Sequence, residues 1–342
     1  MSTTKNSAYH PSELAPILGI DVSKETLDAC FMQLDGTSES MQVSNTAKGI
    51  QRLIAWVSKR VERCYVCLEA TSIYGKQVSE YAYALGLPVS VINPRQTHAF
   101  AHSRLARTKT DTIDAQLIAR FARSMLIEGR LPRFEPLSAS MQALQALVRY
   151  RDTLVMQRVQ VMNRLETTEL TWIQRSEKAV LRLLDRQIDK VEAQILQQIE
   201  ADPAIKGSFE ILTSITGIGA VTATVLLAEL PPIERFDSPK QVAATAGVTP
   251  RARHSGTRTP SSQPISKMGN ARIRKTLYMA ALSAMKYNET IKSFAARLVA
   301  KGKPGKVVVV AVMRKLIHIS FALLERQVRY QSEYKNLKLA AN

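Results

Sequence analysis

In the first 130 or so residues, apolar positions form short unbroken runs, and between the runs they recur every three or four residues. Unbroken runs suit strands buried on both faces, whereas three-four recurrence gives a helix one apolar stripe. The pattern predicts strands at 17–20, 27–34, 65–68 and 88–92, and helices at 46–60, 75–85 and 111–125. Asp35-Gly36, directly after the second run, is a hairpin signal. A hairpin followed by helix–strand alternation predicts an α/β domain with a mixed sheet over residues 1–135. The two prolines of Leu131-Pro132-Arg133-Phe134-Glu135-Pro136 close it.

Beyond that break the pattern changes to heptads. Met141, Leu144, Val148, Val155, Met162 and Leu165 keep a three-four spacing that Arg151 and Arg158 interrupt. Leu181, Leu184, Ile188, Val191 and Ile195 keep it without interruption. Two such helices around Trp172 predict a helical hairpin or coiled-coil linker over 136–201, either a dimerisation arm or an internal hairpin. The remainder, 202–342, predicts a mostly α-helical domain. It contains Ile215-Thr216-Gly217-Ile218-Gly219-Ala220, a Gly-x-Gly turn between helices. Such a turn can aim backbone N–H groups at a phosphate, as helix-hairpin-helix modules do, or simply connect two helices tightly.

Composition changes this picture in three ways. The longest apolar run, 307–313, stops at Arg314 and Lys315, and residues 1–10 lack a signal-peptide core, so no membrane is expected. Cys30, Cys64 and Cys67 are too few for a disulfide framework and fit a reducing cytoplasm. Cys64 and Cys67 form a C-x-x-C with no second pair or nearby histidine, which predicts two half-buried strand residues rather than a zinc site. The net charge is +18, from 47 Lys and Arg against 29 Asp and Glu, and it points to a polyanionic partner such as nucleic acid. A basic stretch concentrates that charge: Arg251, Arg253, His254, Arg258, Lys267, Arg272, Arg274 and Lys275, in and after a loop rich in Ser, Thr and Pro.

Four acids stand out. Asp21 ends the run from Ile17, and Glu69 ends the run from Tyr65. A carboxylate at the tip of a buried strand is desolvated unless a cation or hydrogen bonds compensate. Asp111 and Asp114 are three apart and share one face of a helix. Converging carboxylates repel unless a divalent ion lies between them, and hard oxygen ligands favour Mg2+ or Mn2+.

Read in order, these motifs resemble the DEDD transposases of bacterial insertion sequences, the insertion-sequence-110 family with its Piv-like invertases and bridge-RNA-guided recombinases. The resemblance rests on Gly19-Ile20-Asp21-Val22-Ser23-Lys24, Leu68-Glu69-Ala70-Thr71, Val91-Ile92-Asn93-Pro94 and Lys109-Thr110-Asp111-Thr112-Ile113-Asp114-Ala115. The second half adds Ile218-Gly219, Ala246-Gly247-Val248-Thr249-Pro250, Ser255-Gly256, Ile265-Ser266-Lys267-Met268-Gly269-Asn270 and Arg274-Lys275-Thr276-Leu277-Tyr278. It implies a RuvC-like, ribonuclease-H-type first domain with Asp21, Glu69, Asp111 and Asp114 as metal-binding tetrad. It also implies a C-terminal transposase domain with a nucleophilic serine. Ser255 matches that serine's place best, and Ser266 lies in the second serine-containing motif nearby, with Ser261 and Ser262 between them.

The implied partners are donor and target DNA, a structured guide RNA encoded by the element, and further copies of the chain as a dimer or tetramer. The acids of one subunit would then meet the serine of another, in the bacterial cytoplasm at the nucleoid. Within that scheme Arg251, Arg253, Arg258, Lys267, Arg272, Arg274 and Lys275 are expected to contact nucleic acid. A serine hydroxyl needs help to lose its proton, and a metal at the tetrad would supply it, giving a covalent phosphoserine that rejoins strands without ATP. Two other classes fit parts of the chain. A RuvC-like nuclease would use the same acids to activate water and form no adduct. A non-catalytic nucleic-acid-binding protein would explain the charge but would have no need of four acids that repel phosphate.

Overall fold

The computed structural model describes residues 15–70, 73–103, 111–250 and 265–331, with the side chains of 111–113 outside the description. The chain divides into two compact units, Met1–Pro136 and Leu137–Asn342.

The first unit runs β1 (Ile17–Val22), β2 (Thr26–Met32), β3 (Ser38–Ser44), α1 (Ala47–Ser58), β4 (Tyr65–Glu69), α2 (Lys76–Ala84), β5 (Val89–Ile92), α3 (Pro94–Ser103) and α4 (Asp111–Ile127). One five-stranded mixed sheet results, in the order β3-β2-β1-β4-β5. The β1–β2 and β2–β3 pairs are antiparallel, and β1–β4 and β4–β5 are parallel. Both faces are covered, which is why the inner strands read as continuous apolar runs. Leu18, Ile20, Leu27 and Phe31 pack with Ile50, Leu53 and Val57 of α1 and Val78 and Ala82 of α2. On the opposite face Ile17, Cys30, Tyr65 and Cys67 pack with Ala115, Ile118, Ala119 and Ala122 of α4.

Two elements lie outside the pattern read from sequence. Strand β3, Ser-Glu-Ser-Met-Gln-Val-Ser, buries only Val43, because it is an edge strand whose side chains mostly meet solvent. It pairs with β2 through a turn in which Gly36 takes φ +91, so the predicted strand 27–34 ends at Met32. Helix α3 opens on Pro94, whose fixed φ suits a first helical position and whose missing N–H leaves no orphan donor.

The second unit is helical: α5 (Ala139–Thr167), α6 (Thr171–Ala201), α7 (Pro203–Thr213), α8 (Ala220–Glu229), α9 (Pro239–Thr245), α10 (Ala271–Tyr287), α11 (Glu289–Ala300) and α12 (Gly305–Arg326). Helices α5 and α6 lie antiparallel: Arg151 pairs with Glu192, Arg158 with Asp185 and Arg164 with Glu177, so one series rises as the other falls. The two arginines that interrupt the first heptad run thus meet acids on the facing helix. The hairpin's apolar stripe, Leu144, Val148, Ile188, Ile195 and Ile199, continues onto Ile205 of α7 and Ala228 of α8. That continuity groups 137–201 with the helices that follow it instead of leaving it as a separate linker. Trp172 lies inside α6 rather than between the helices, and it is exposed.

Helix α12 corrects the reading of the 307–313 run. Arg314 and Lys315 interrupt it, but Leu316–Leu324 resumes, giving a 22-residue helix with a window of mean hydropathy 2.1. By length and composition it could cross a membrane, yet Val308, Val312, Leu316, Ile317 and Phe321 are buried in the unit's main core, where the helix packs against α7, α9, α10 and α11. Burial, and then the nearby Arg297, pushes the Lys315 ammonium pKa down.

The cysteines differ from the reading as well. Cys64 and Cys67 are fully buried, and they join the cores on opposite faces of the sheet, so they cannot share one ion. Burial pushes the Cys64 thiol up to about 12 and raises Cys67 well above its usual value. Because the thiolate is the reactive form, both should resist alkylation at pH 8 in the folded protein and react in denaturant. Mass spectrometry after iodoacetamide treatment checks this, and rapid labelling of either in the native state would contradict it.

Candidate active site

Alternation along the strands decides which side chains face α4. Ile17, Gly19 and Asp21 of β1 share that face, as do Tyr65, Cys67 and Glu69 of β4. The parallel register matches Gly19 with Cys67 and Ile20 with Leu68, so Asp21 and Glu69 come next, side by side at the carboxyl ends of adjacent strands. Both are half-buried.

Helix α4 reaches this place because Gly19 has no side chain. A Cβ there would stand 2.5 Å from the Ala115 carbonyl oxygen and 2.6 Å from the Ala119 nitrogen, so helix and strand backbones touch. Further along, Arg123 donates to the Gln33 carbonyl at 3.2 Å, just past Met32, which pairs with Ile17. The helix therefore runs from the Asp21 end of β1 towards the β2–β3 turn, and its first turn carries Asp111 and the half-buried Asp114 at the Asp21 end. Asp111 belongs to α4, but its side chain lies outside the described residues.

Hydrogen bonds orient both strand-end acids. Asp21 Oδ1 accepts from the Val22 N–H at 3.0 Å. Glu69 Oε1 accepts from the hydroxyl of Thr97, which is 1% exposed and also lies 2.8 Å from the Pro94 carbonyl. The Val91-Ile92-Asn93-Pro94 motif thereby acquires a physical role: it ends β5, starts α3 and sets Thr97 under Glu69. Among the described residues no three of His, Cys, Asp and Glu already form a closed metal cage.

One acid escaped the sequence reading. Asp28 of β2 lies directly across from Asp21 in the antiparallel register and is buried, with Gln42 Nε2 donating to its Oδ1 at 2.9 Å. Directly opposed residues bring their Cβ atoms within about 5 Å, so two carboxylates here repel. The signal was present as a lone acid inside an otherwise apolar strand.

The C-terminal candidates separate into two groups. Arg251, Arg253, His254, Ser255, Arg258, Ser261 and Ser262 lie outside the described residues. The segments flanking them are joined: Pro250 bridges Ile265, Ser266 N donates to Thr249 O at 2.9 Å, and Asn270 N donates to Thr245 O at 2.8 Å. Gly247 (φ +69) and Gly269 touch backbone to backbone, since a Cβ on Gly269 would stand 2.3 Å from Gly247 N. Arg274 Nη1 donates to Gly269 O at 2.7 Å and to Ala246 O at 3.3 Å, so it ties the two segments together. Lys267 is exposed in a left-handed conformation, φ +52.

Arg272 and Lys275 meet protein acids. Asp152 lies 3.3 Å from Arg272 and 3.4 Å from Lys275. Glu229, with its side chain 2% exposed, takes a forked pair of bonds from Arg149 at 2.8 and 3.2 Å and one from Asn270 at 2.8 Å. In the Gly-x-Gly turn, Gly217 (φ +108) is required by packing, because a Cβ would strike Ala284 at 2.5 Å. Gly219 faces open space at the start of α8.

Comparison with known proteins decides the family. A transposase family model, that of the DEDD transposases of the IS110 type, matches residues 18–170, and the model "Transposase IS116/IS110/IS902 family" matches 209–296. The pilin gene-inverting protein of Moraxella bovis is 30% identical over 314 residues, covering 90% of this chain and 95% of the relative. The chain belongs to the IS110 family of transposases. The transposase for insertion sequence element IS1111A of Coxiella burnetii is 26% identical, over 92% of this chain and 91% of its own length. Among solved structures, Thermus thermophilus RuvC in complex with a Holliday junction substrate is 16% identical, covering 35% of this chain and all of its own, at a TM-score of 0.29. As a member of this family the chain is an enzyme, a transposase of an insertion sequence.

The contact at Gly19 is directly testable. Gly19→Ala should destabilise the first unit by about 1–3 kcal/mol, the usual range for overpacking, because the obstacles are backbone atoms that cannot step aside. Urea denaturation of the full chain checks this, and an unchanged midpoint would contradict the close approach.

Proposed function

We propose that this transposase breaks and rejoins DNA strands with the tetrad Asp21, Glu69, Asp111 and Asp114 and a serine nucleophile, under the guidance of a structured RNA encoded by its element. The observation that carries the reading is the alignment of Asp21 and Glu69 at neighbouring strand ends, with the acidic first turn of α4 pressed towards them at Gly19. Strand ends of a ribonuclease-H-like sheet are a rigid place to converge carboxylates, and Asp28 adds further negative charge beside Asp21. Such a set of hard oxygens fits a divalent ion, Mg2+ or Mn2+. When bound, that ion would neutralise phosphate charge and lower the pKa of an attacking hydroxyl.

The protein's own residues do the rest. Thr97 holds Glu69, and the Val22 N–H holds Asp21, so neither carboxylate must be ordered when substrate arrives. The serine, Ser255 with Ser266 as the alternative carrier, attacks phosphorus as the phosphodiester bond breaks and the freed strand end leaves as a hydroxyl. Attack by a hydroxyl on the phosphoserine reverses the step and joins strands. The excess of 47 basic over 29 acidic residues supports long nucleic-acid partners, and the proposed assembly is a homo-oligomer.

Thr97→Val keeps the shape and removes the hydroxyl beneath Glu69. Its strand exchange should fall about 10- to 100-fold, as for other residues that orient metal ligands, and excess Mg2+ should restore part of it. Wild-type rates at limiting Mg2+ would show that Thr97 does not position a ligand.

The serine is tested with a nicked suicide DNA. A protein–DNA adduct stable on denaturing gels should form, map by peptide sequencing to the segment containing Ser255, and vanish in Ser255→Ala while nucleic-acid binding persists. Mapping to Ser266 would move the role there. Metal-dependent cleavage without any adduct, indifferent to both serine variants, would favour water attack by a nuclease.

A further inference from the structure

Helix α10 buries one face and leaves another with a distinct composition. Ile273, Leu277, Ala280, Ala281 and Ala284 pack into the core. On the solvent side Lys275, Met279, Leu282 and Lys286 are four, three and four residues apart and so form one line, with Arg272 and Tyr278 flanking it. Met279 is 65% exposed, Tyr278 43% and Leu282 39%. The line therefore has an apolar middle between two lysines, with an aromatic ring beside it, and α10 contains no acidic residue.

We propose that this outer face is a docking surface for single-stranded nucleic acid, with phosphates at Lys275 and Lys286 and a base against Tyr278, Met279 and Leu282. The inference rests on the chain's reading as a nucleic-acid enzyme and assigns that reading a surface. The two lysines lie about 16 Å apart along the axis, eleven residues at 1.5 Å each. Basic ends around an aromatic platform are what sequence-tolerant strand binding requires, since every base has a face to stack and every nucleotide a phosphate. A second copy of the chain is the poorer occupant: it carries the same +18 charge and would set lysines against lysines.

Asp152 of α5 gives the surface an internal counter-charge. It lies 3.4 Å from Lys275 and 3.3 Å from Arg272, yet the Arg272 Nε is buried without an aligned acceptor. A phosphate arriving at Lys275 competes with this carboxylate. Asp152 thus holds the cations in place in the free protein and weakens binding at the same time.

The test uses the full chain in EDTA, so that no chemistry intervenes, with a labelled oligothymidylate of about 20 nucleotides read by fluorescence anisotropy over a salt series. Lys275→Gln with Lys286→Gln should weaken binding about tenfold or more and lower the salt slope by roughly 1.4, two contacts at about 0.7 each. Lys301→Gln with Lys303→Gln, an equal loss of charge elsewhere, should do much less. Tyr278→Ala should weaken binding about fivefold or more with the slope unchanged, and Asp152→Asn should tighten it. Thermal melts confirm that each variant is folded.

Equal effects of the two lysine pairs would overturn the proposal, as would weaker binding by folded Asp152→Asn. Preference for duplex with no response to Tyr278→Ala would overturn the single-strand assignment. A changed oligomeric state with unchanged binding would make the face a protein interface instead. Because binding is read without catalysis, failure of the serine chemistry would leave these results standing.

Discussion

The backbone contact between α4 and β1 at Gly19 sets the geometry on which the proposed chemistry depends. A strand and a helix normally stand apart by the length of their side chains, and here that spacing collapses because the strand offers none. The consequence is positional: the first turn of α4 is brought down towards the ends of β1 and β4, where Asp21 and Glu69 emerge. Any side chain at Gly19 would lift the helix and spread the acids. The glycine is therefore part of the site although it has no chemistry.

Around that contact the first unit is arranged to hold charge where charge is expensive. Asp21 faces Asp28 across an antiparallel pair, Glu69 is tied to Thr97, and Asp114 sits half-buried on the adjoining helix. Carboxylates placed together in this way repel one another, and a bound divalent ion would offset that repulsion. The second unit solves the opposite problem. Several of its basic residues are held by acids on neighbouring helices, Asp152 and Glu229 among them, or by carbonyls, as with Arg274. On the outer face of α10, Lys275 and Lys286 remain exposed to solvent.

Much of this was legible in the sequence where burial on two faces produced continuous apolar runs. β1, β4 and β5 were found for that reason, and so were the strand-end acids. The edge strand β3 was not, since its side chains mostly face water and leave no apolar period. Asp28 was hidden because only register shows that it opposes Asp21, and register is a property of the folded pair. The same holds for the basic stretch: nothing local to Arg272 or Lys275 announces Asp152, some 120 residues earlier in the chain. Helix α12 was cut short by reading Arg314 and Lys315 as an end, whereas the core accommodates both within one helix.

The proposed chemistry requires that the acids at the ends of β1 and β4 and on α4 bind one metal centre. The most direct measurement is an anomalous difference map from crystals of the full chain grown with Mn2+. A peak is expected within direct coordination distance of the Asp21 and Glu69 carboxylates, with the first-turn acids of α4 completing the shell, and it should be lost in Asp21→Asn. Saturating Mn2+ with no peak at these residues, or with ordered metal only elsewhere, would contradict it.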